Sequence, residues 1–166
     1  MKELVAIAEK IAARLIERKQ TIAVAESSTG GLISAALLAV PGASGYFLGG
    51  GVIYTRDARR ILMDIPDDAM KGIRSASEPY AKLLASQIRA RFSTDWGLSE
   101  TGATGPTGNR YGDAAGHSCM GVAGPQQAVI TLETGSSDRI ANMHAFSAAA
   151  LDLLLDAVAG NAATTS

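Results

Sequence analysis

The chain has 166 residues and a mass of 17.1 kDa, enough for one domain with a substantial core and too little for two. Fifteen Lys and Arg against 16 Asp and Glu leave a net charge of -1, with the basic residues scattered; the positive field of a duplex-binding surface is missing, which argues against nucleic acid as a partner. The single Cys119 excludes an intramolecular disulfide, and no Cys/His cluster has zinc spacing, so a reducing compartment and no structural metal are expected.

Residues 3 to 18 place Leu4, Ile7, Ala8, Ile11, Leu15 and Ile16 at helical spacing with charges between them, the pattern of an amphipathic helix. That polarity is too high for a signal peptide or membrane span, so a soluble cytoplasmic protein without membrane contact is expected. Residues 21 to 25 (TIAVA) read as a buried strand. A polar glycine turn, Glu26 to Gly31, then opens a helix (LISAALLAV) that ends at Pro41-Gly42. Residues 46 to 54 (YFLGGGVIY) read as a second strand, whose glycines suggest a bulge or close contact. A short helix over 57 to 63 and an irregular stretch over 64 to 71 follow. The next helix starts at Ser77-Glu78-Pro79 with Leu83, Leu84, Ile88 and Phe92 on one stripe. Residues 96 to 99 predict a short strand before a second glycine-rich loop, 101 to 108. Strands over about 117 to 123 and 127 to 133 flank Gly124-Pro125 as a hairpin. Ser137 or Asp138 caps a last helix to about residue 158. The fold class is α/β: one three-layer domain over residues 1–160 with a mixed sheet flanked by helices, and a flexible tail over 161–166. Hydrophobic residues make up 47% but aromatics only 5%, and alanine is the commonest residue. The core must therefore use small side chains and close backbone approach.

Two loops are candidate sites. A turn leaving a strand and opening a helix presents free N–H groups and a positive dipole end, which suit an anion or an oxyanion. Ser27, Ser28 or Thr29 is there either the helix N-cap or a nucleophile. The second loop, from Thr101 to Gly108, has the glycines of an anion-binding nest but neither a Walker lysine nor a dinucleotide fingerprint. Together the two loops suggest a phosphate-bearing ligand at the carboxyl ends of the strands. Arg56, Arg59 and Arg60 are either a solvated helix face or an anion clamp. His117 and His144 read as structural, and Cys119 as a buried small residue.

Several segments together resemble one family: Ala25-Glu-Ser-Ser-Thr-Gly-Gly31, Val40-Pro-Gly-Ala-Ser44, Gly49-Gly-Gly-Val-Ile-Tyr54, Thr101-Gly-Ala-Thr-Gly-Pro106 and the last helix. In this order and spacing they are similar to the carboxy-terminal domain of the CinA proteins, also found as a stand-alone nicotinamide-mononucleotide amidohydrolase. The resemblance runs from about residue 3 to residue 158. It implies hydrolysis of the carboxamide of nicotinamide mononucleotide, or a related pyridine nucleotide, to the carboxylate and ammonia, with no metal and no cofactor. It further implies catalytic roles for Ser27 as nucleophile, Tyr54 and Arg59. Substrate contacts follow from Glu26, Ser28, Thr29, Gly30 and Gly31, with the N–H groups from Ser28 to Gly31 as oxyanion hole, and from Thr101, Gly102, Ala103, Thr104 and Gly105. A small-molecule nucleotide is the expected partner, and a homo-oligomer the expected assembly.

Two positions depart from that pattern. Where the family carries lysine in a segment resembling Tyr-Ser-Asn-x-Ala-Lys, this chain has Arg59 in Tyr54-Thr55-Arg56-Asp57-Ala58-Arg59. A guanidinium stays charged at neutral pH and cannot take the serine proton as a desolvated lysine can. A replacement base would come from Tyr54, Glu26, Asp57 or Glu100; the alternative is a catalytically silent nucleotide-binding or regulatory module of the same fold. The second departure replaces Lys-Pro-Val with Asp113-Ala-Ala115, removing a positive charge near the second loop.

Overall fold

Strand β1 (Ile22–Glu26) is buried along its whole length, and its side chains alternate between two hydrophobic clusters as the pleat requires. Ile22 and Val24 join the larger cluster with Leu4, Ile11, Leu15, Phe146 and Leu154, whereas Ala23 and Ala25 join Tyr80, Leu84 and Ile88 on the other face. The computed structural model describes residues 1–160, and the tail expected over 161–166 lies outside the described residues. Helices α1 (Lys2–Arg18), α2 (Leu32–Leu38) and α5 (Arg139–Ala159) cover the first face. The short α3 (Arg56–Met63) and α4 (Glu78–Phe92) lie on the second. Between them runs a five-stranded sheet in the order β2 (Phe47–Val52), β1, β3 (Trp96–Ala103), β4 (His117–Ala123), β5 (Ala128–Glu133). Strand β1 is parallel to β2 and β3, while β3, β4 and β5 are antiparallel. This is one α/β domain with a mixed sheet flanked by helices.

Local chemistry sets the element ends. Helix α1 buries Leu4, Ala8, Ile11, Ala12 and Leu15 and stops at Lys19, which takes φ 54. Ser77 caps α4 by accepting from Tyr80 N at 3.3 Å, and Asp138 caps α5 by accepting from Ala141 N at 3.0 Å. The expected end of β3 is corrected: Thr101, Gly102 and Ala103 continue the strand and pair with Cys119, Ser118 and His117. The second glycine loop therefore begins only at Thr104. Among the described residues no helix is long and apolar enough to cross a membrane.

The small residues of the sheet let α4 approach closely. A Cβ on Gly97 would stand 2.1 Å from Ala85 O and 2.9 Å from Arg89 Cβ, and one on Gly121 would stand 2.7 Å from Ala81 O. Ser99 Oγ donates to the same Ala81 carbonyl at 2.6 Å. Gly97→Ala is therefore expected to cost about 1–3 kcal/mol by overpacking against helix backbone. The loss reads out as a lower urea midpoint at unchanged slope. Gly45→Ala, where a Cβ meets nothing within 4 Å, is the control and should stay within about 0.5 kcal/mol.

Candidate functional site

The turn after β1 is held from beneath by two fully buried carboxylates, Glu26 and Glu100. Glu26 Oε1 accepts from Thr29 Oγ1 at 2.8 Å, Gly31 N at 2.8 Å and Ile33 N at 3.2 Å. Its Oε2 accepts from Ser34 N at 2.9 Å and Ser34 Oγ at 2.7 Å. A carboxylate at the end of β1 thus satisfies the first N–H groups of α2. The N-cap itself is Gly31, at φ 104 and with no side-chain cap, so none of Ser27, Ser28 and Thr29 is the N-cap. Glu100, from β3, accepts from Ser27 N at 3.0 Å, Thr29 N at 3.1 Å, Ser28 Oγ at 2.5 Å and Ser118 Oγ at 3.0 Å. Burial pushes its carboxyl above the ordinary range, against the lowering effect of those hydrogen bonds.

These bonds redraw the expected oxyanion hole. Thr29 N and Gly31 N are spent on carboxylates, and Gly30 N donates to Ser27 O at 3.2 Å. Of that run, only the Ser28 N–H has no partner among the described residues. The Ser27 hydroxyl is also without a partner there, and Ser27 is the one residue of the 26–31 turn on the wall of a cavity of about 750 Å³.

The carboxyl ends of β1, β2 and β3 meet at this cavity through Ser27, Ile53, Tyr54, Thr101 and Gly102, where open α/β sheets hold their ligands. Four arginines line it: Arg56, Arg59, Arg74 and Arg110. Arg59 is 6% exposed, ion-paired with Asp67, and its Nε donates to Ile65 O at 3.3 Å. Arg74 grips Asp113 with two bonds of 2.7 and 3.0 Å. Arg56 and Arg110 pair with no carboxylate among the described residues. The Tyr111 ring lies 5.4 Å from the Arg74 guanidinium and 5.8 Å from that of Arg110, within cation-π range. Two guanidinia without carboxylate partners make the cavity attractive to an anionic ligand. Tyr54 is exposed, and its hydroxyl accepts from Arg139 Nη2 at 3.3 Å, while Arg139 Nη1 donates to Gly105 O at 2.5 Å. Tyr80 also lines the wall, and burial pushes its phenol up to about 12.

The structure thus gathers Ser27, Tyr54, Arg59, Thr101 and Gly102 around one cavity. It does not bring Glu26, Ser28, Thr29, Gly30 or Gly31 to the wall, because the two carboxylates engage that turn from below. Ala103 belongs to the ladder with β4, and Thr104 and Gly105 turn their carbonyls to Asn142 and Arg139 of α5. An anion-binding nest over 101 to 103 is therefore excluded. Gly102 serves close packing instead, since a Cβ there would meet His117 O at 2.6 Å. Sequence reasoning does not single out Arg74, Arg110, Tyr111 or Arg139; for Arg110 and Tyr111 the available signal is their place between glycines in the turn at 108 to 112.

His117 supports the cavity from behind. Its Nε2 contacts Ala76 O at 2.7 Å, its Nδ1 contacts Glu133, and Asp113 stands 3.6 Å away. Burial lowers its pKa, but Glu133, the Ala76 carbonyl and Asp113 outweigh burial and leave the imidazole raised. A raised histidine contributes stability that is full below its unfolded value of about 6.5 and lost as pH rises through the folded value. Unfolding midpoints are thus expected to fall from about pH 6.5 upward in the native chain, and His117→Gln should flatten that limb of the profile.

A family model described as the CinA C-terminal domain matches residues 4–158. A CinA-like protein from Chlorobaculum tepidum is 37% identical over 156 residues, covering 91% of this chain and 37% of that one. A CinA-like protein from Synechococcus sp. is 41% identical over 108 residues, covering 65% and 26%. The chain thus spans between about a quarter and just over a third of the length of these relatives. Among solved structures, a competence-damaged protein (CinA) superfamily protein from Klebsiella pneumoniae superposes with a TM-score of 0.87 at 22% identity, covering 95% of this chain and 98% of that one. A competence/damage-inducible protein from Agrobacterium tumefaciens gives 0.85 at 24%, covering 95% and 96%. At these identities the superpositions speak for the fold alone.

Proposed function

We propose that the chain, which belongs to the CinA C-terminal domain family, hydrolyses the carboxamide of nicotinamide mononucleotide or a related pyridine nucleotide, with Ser27 as nucleophile. One observation carries this reading: Ser27 is the only residue of its turn on the wall of a cavity where Arg56 and Arg110 have no carboxylate partner among the described residues. Those guanidinia hold the ligand phosphate. Ser27 Oγ adds to the amide carbon; of the N–H groups from Ser28 to Gly31, only that of Ser28 is unspent among the described residues and left for the developing oxyanion. Ammonia leaves, and water hydrolyses the acyl-enzyme.

The proton of Ser27 narrows the choice of base. Arg59 is a permanently charged guanidinium engaged with Asp67 and Ile65. Both oxygens of Glu26 are taken by donors from the turn and α2, and Glu100 contacts Ser28 Oγ rather than Ser27 Oγ. Asp57 is tied to Arg60 at 3.2 Å. Of the four candidates, that leaves Tyr54, whose oxygen accepts from Arg139; Asp67, the carboxylate on the cavity wall, is paired with Arg59 and Arg60. A second reading is favoured by one specific observation: no base is hydrogen-bonded to Ser27 Oγ among the described residues, as expected of a silent nucleotide-binding module. Incubation with nicotinamide mononucleotide separates the two, with ammonia release reporting hydrolysis and calorimetry reporting binding.

A further inference from the structure

Glu26 and Glu100 sit on neighbouring strands, fully buried, and no lysine, arginine or histidine among the described residues pairs with either. One hydroxyl bridges them: Thr29 Oγ1 stands 2.8 Å from Glu26 Oε1 and 3.1 Å from Glu100 Oε2. A hydroxyl has one hydrogen and cannot donate to both at once. Burying two carboxyl groups this close with no cation beside them disfavours ionising both.

The surrounding donors say where a retained proton would sit. Glu26 meets main-chain N–H groups on both oxygens, Gly31 and Ile33 on Oε1 and Ser34 on Oε2. An N–H only donates, so a hydrogen on either oxygen of Glu26 would compete with one already there. Glu100 is asymmetric. The N–H groups of Ser27 and Thr29 both reach Oε2, whereas Oε1 meets only the hydroxyls of Ser28 at 2.5 Å and Ser118 at 3.0 Å. Hydroxyls can turn and accept. Ser118 has a second acceptor for its own hydrogen, Thr101 O at 3.2 Å.

We propose that Glu100 is a neutral carboxylic acid whose Oε1 proton is donated to Ser118 Oγ while Ser28 Oγ donates to Oε1, and that in this form it is the positioning residue fixing the Ser27 main chain at the cavity. The raised carboxyl of Glu100 agrees with this. Its partners from β4 and the turn are Ser118, Ser27, Ser28 and Thr29, none of which titrates near neutrality; Glu26 of β1 is the one carboxylate facing it across Thr29. The assignment stands whichever reaction, or none, takes place at Ser27.

Glutamine substitution distinguishes an acid from an anion. In Glu100→Gln the amide oxygen takes the two N–H groups and the amide nitrogen donates to the two hydroxyls, so the pattern survives. In Glu26→Gln the amide nitrogen must face an N–H whichever way it turns. The native chain at neutral pH is expected to show the infrared carbonyl stretch of a protonated carboxyl, retained in Glu26→Gln and absent in Glu100→Gln. Because the folded carboxyl is raised, the unfolded chain releases its proton first as pH rises above the carboxylate range, and native stability falls until the folded group ionises. Thermal midpoints of Glu100→Gln should therefore gain on the native chain as pH rises, while Glu26→Gln stays below it throughout. No such band in the native chain, a band surviving in Glu100→Gln, or equal destabilisation by both substitutions would overturn the proposal. If Glu100→Gln does not fold, the native band and its persistence in Glu26→Gln decide alone.

Discussion

Ser27→Ala is expected to abolish ammonia release from nicotinamide mononucleotide, by about 10³-fold or more, as for removal of a covalent nucleophile. Ligand affinity should change little, because Arg56 and Arg110 are untouched and the Ser27 side chain makes no hydrogen bond that the native turn needs. The main-chain bond from Ser27 N to Glu100 survives the substitution, so a loss of turnover would not be a loss of the turn. Arg59→Lys is the companion experiment. A lysine in this 6%-exposed position loses its proton far more readily than a guanidinium. If the native chain turns over and Ser27→Ala does not, hydrolysis through Ser27 stands. If the native chain binds without turnover and Arg59→Lys gains it, the silent-module reading stands. Neither binding nor turnover would refute the ligand assignment itself.

Glu26→Ala should produce the largest loss of stability at any single side chain of the site. Five donors converge on this carboxylate, three of them main-chain N–H groups of Gly31, Ile33 and Ser34. Alanine leaves them buried without an acceptor, and water reaches the space poorly. A loss of about 3–5 kcal/mol is expected, the scale for breaking a buried charged network. For a domain of this size that is roughly 10 °C or more in the thermal midpoint. A drop of only a degree or two would mean that α2 finds another cap.

The order of strands and helices was legible because apolar periodicity is local: the 3.6-residue repeat of α1 and the unbroken TIAVA run need no tertiary context. The end of β3 was not. Thr101 to Ala103 read as loop because glycine weakens a strand, yet the antiparallel partner β4, some fifteen residues on, supplies the ladder that overrides this. The same glycine suggested an anion nest, whereas Gly102 exists to let His117 and Ser118 pack against it. Ser27, Tyr54, Arg59, Thr101 and Gly102 converge on one cavity as the strand-end rule implies. Arg74 and Arg110 escaped notice because their roles depend on Asp113 and Tyr111 meeting them in space. Glu26 stood out as a polar neighbour of the turn, but a residue that accepts five bonds inside the core looks, in one dimension, like a residue that faces a ligand.

The alanine and glycine face beneath α4 also sets a dimension. Ala76, two residues before α4, lines the cavity, donates to Thr101 Oγ1 at 3.1 Å and accepts from His117. The depth at which α4 settles on Gly97 and Gly121 therefore fixes how far the Ala76–Tyr80 wall stands from Ser27. Sheet thickness becomes a caliper: under the proposed function, an added methyl at Gly97 would widen the space beside Ser27 and shift the ligand size accepted there, from a residue that is not on the cavity wall.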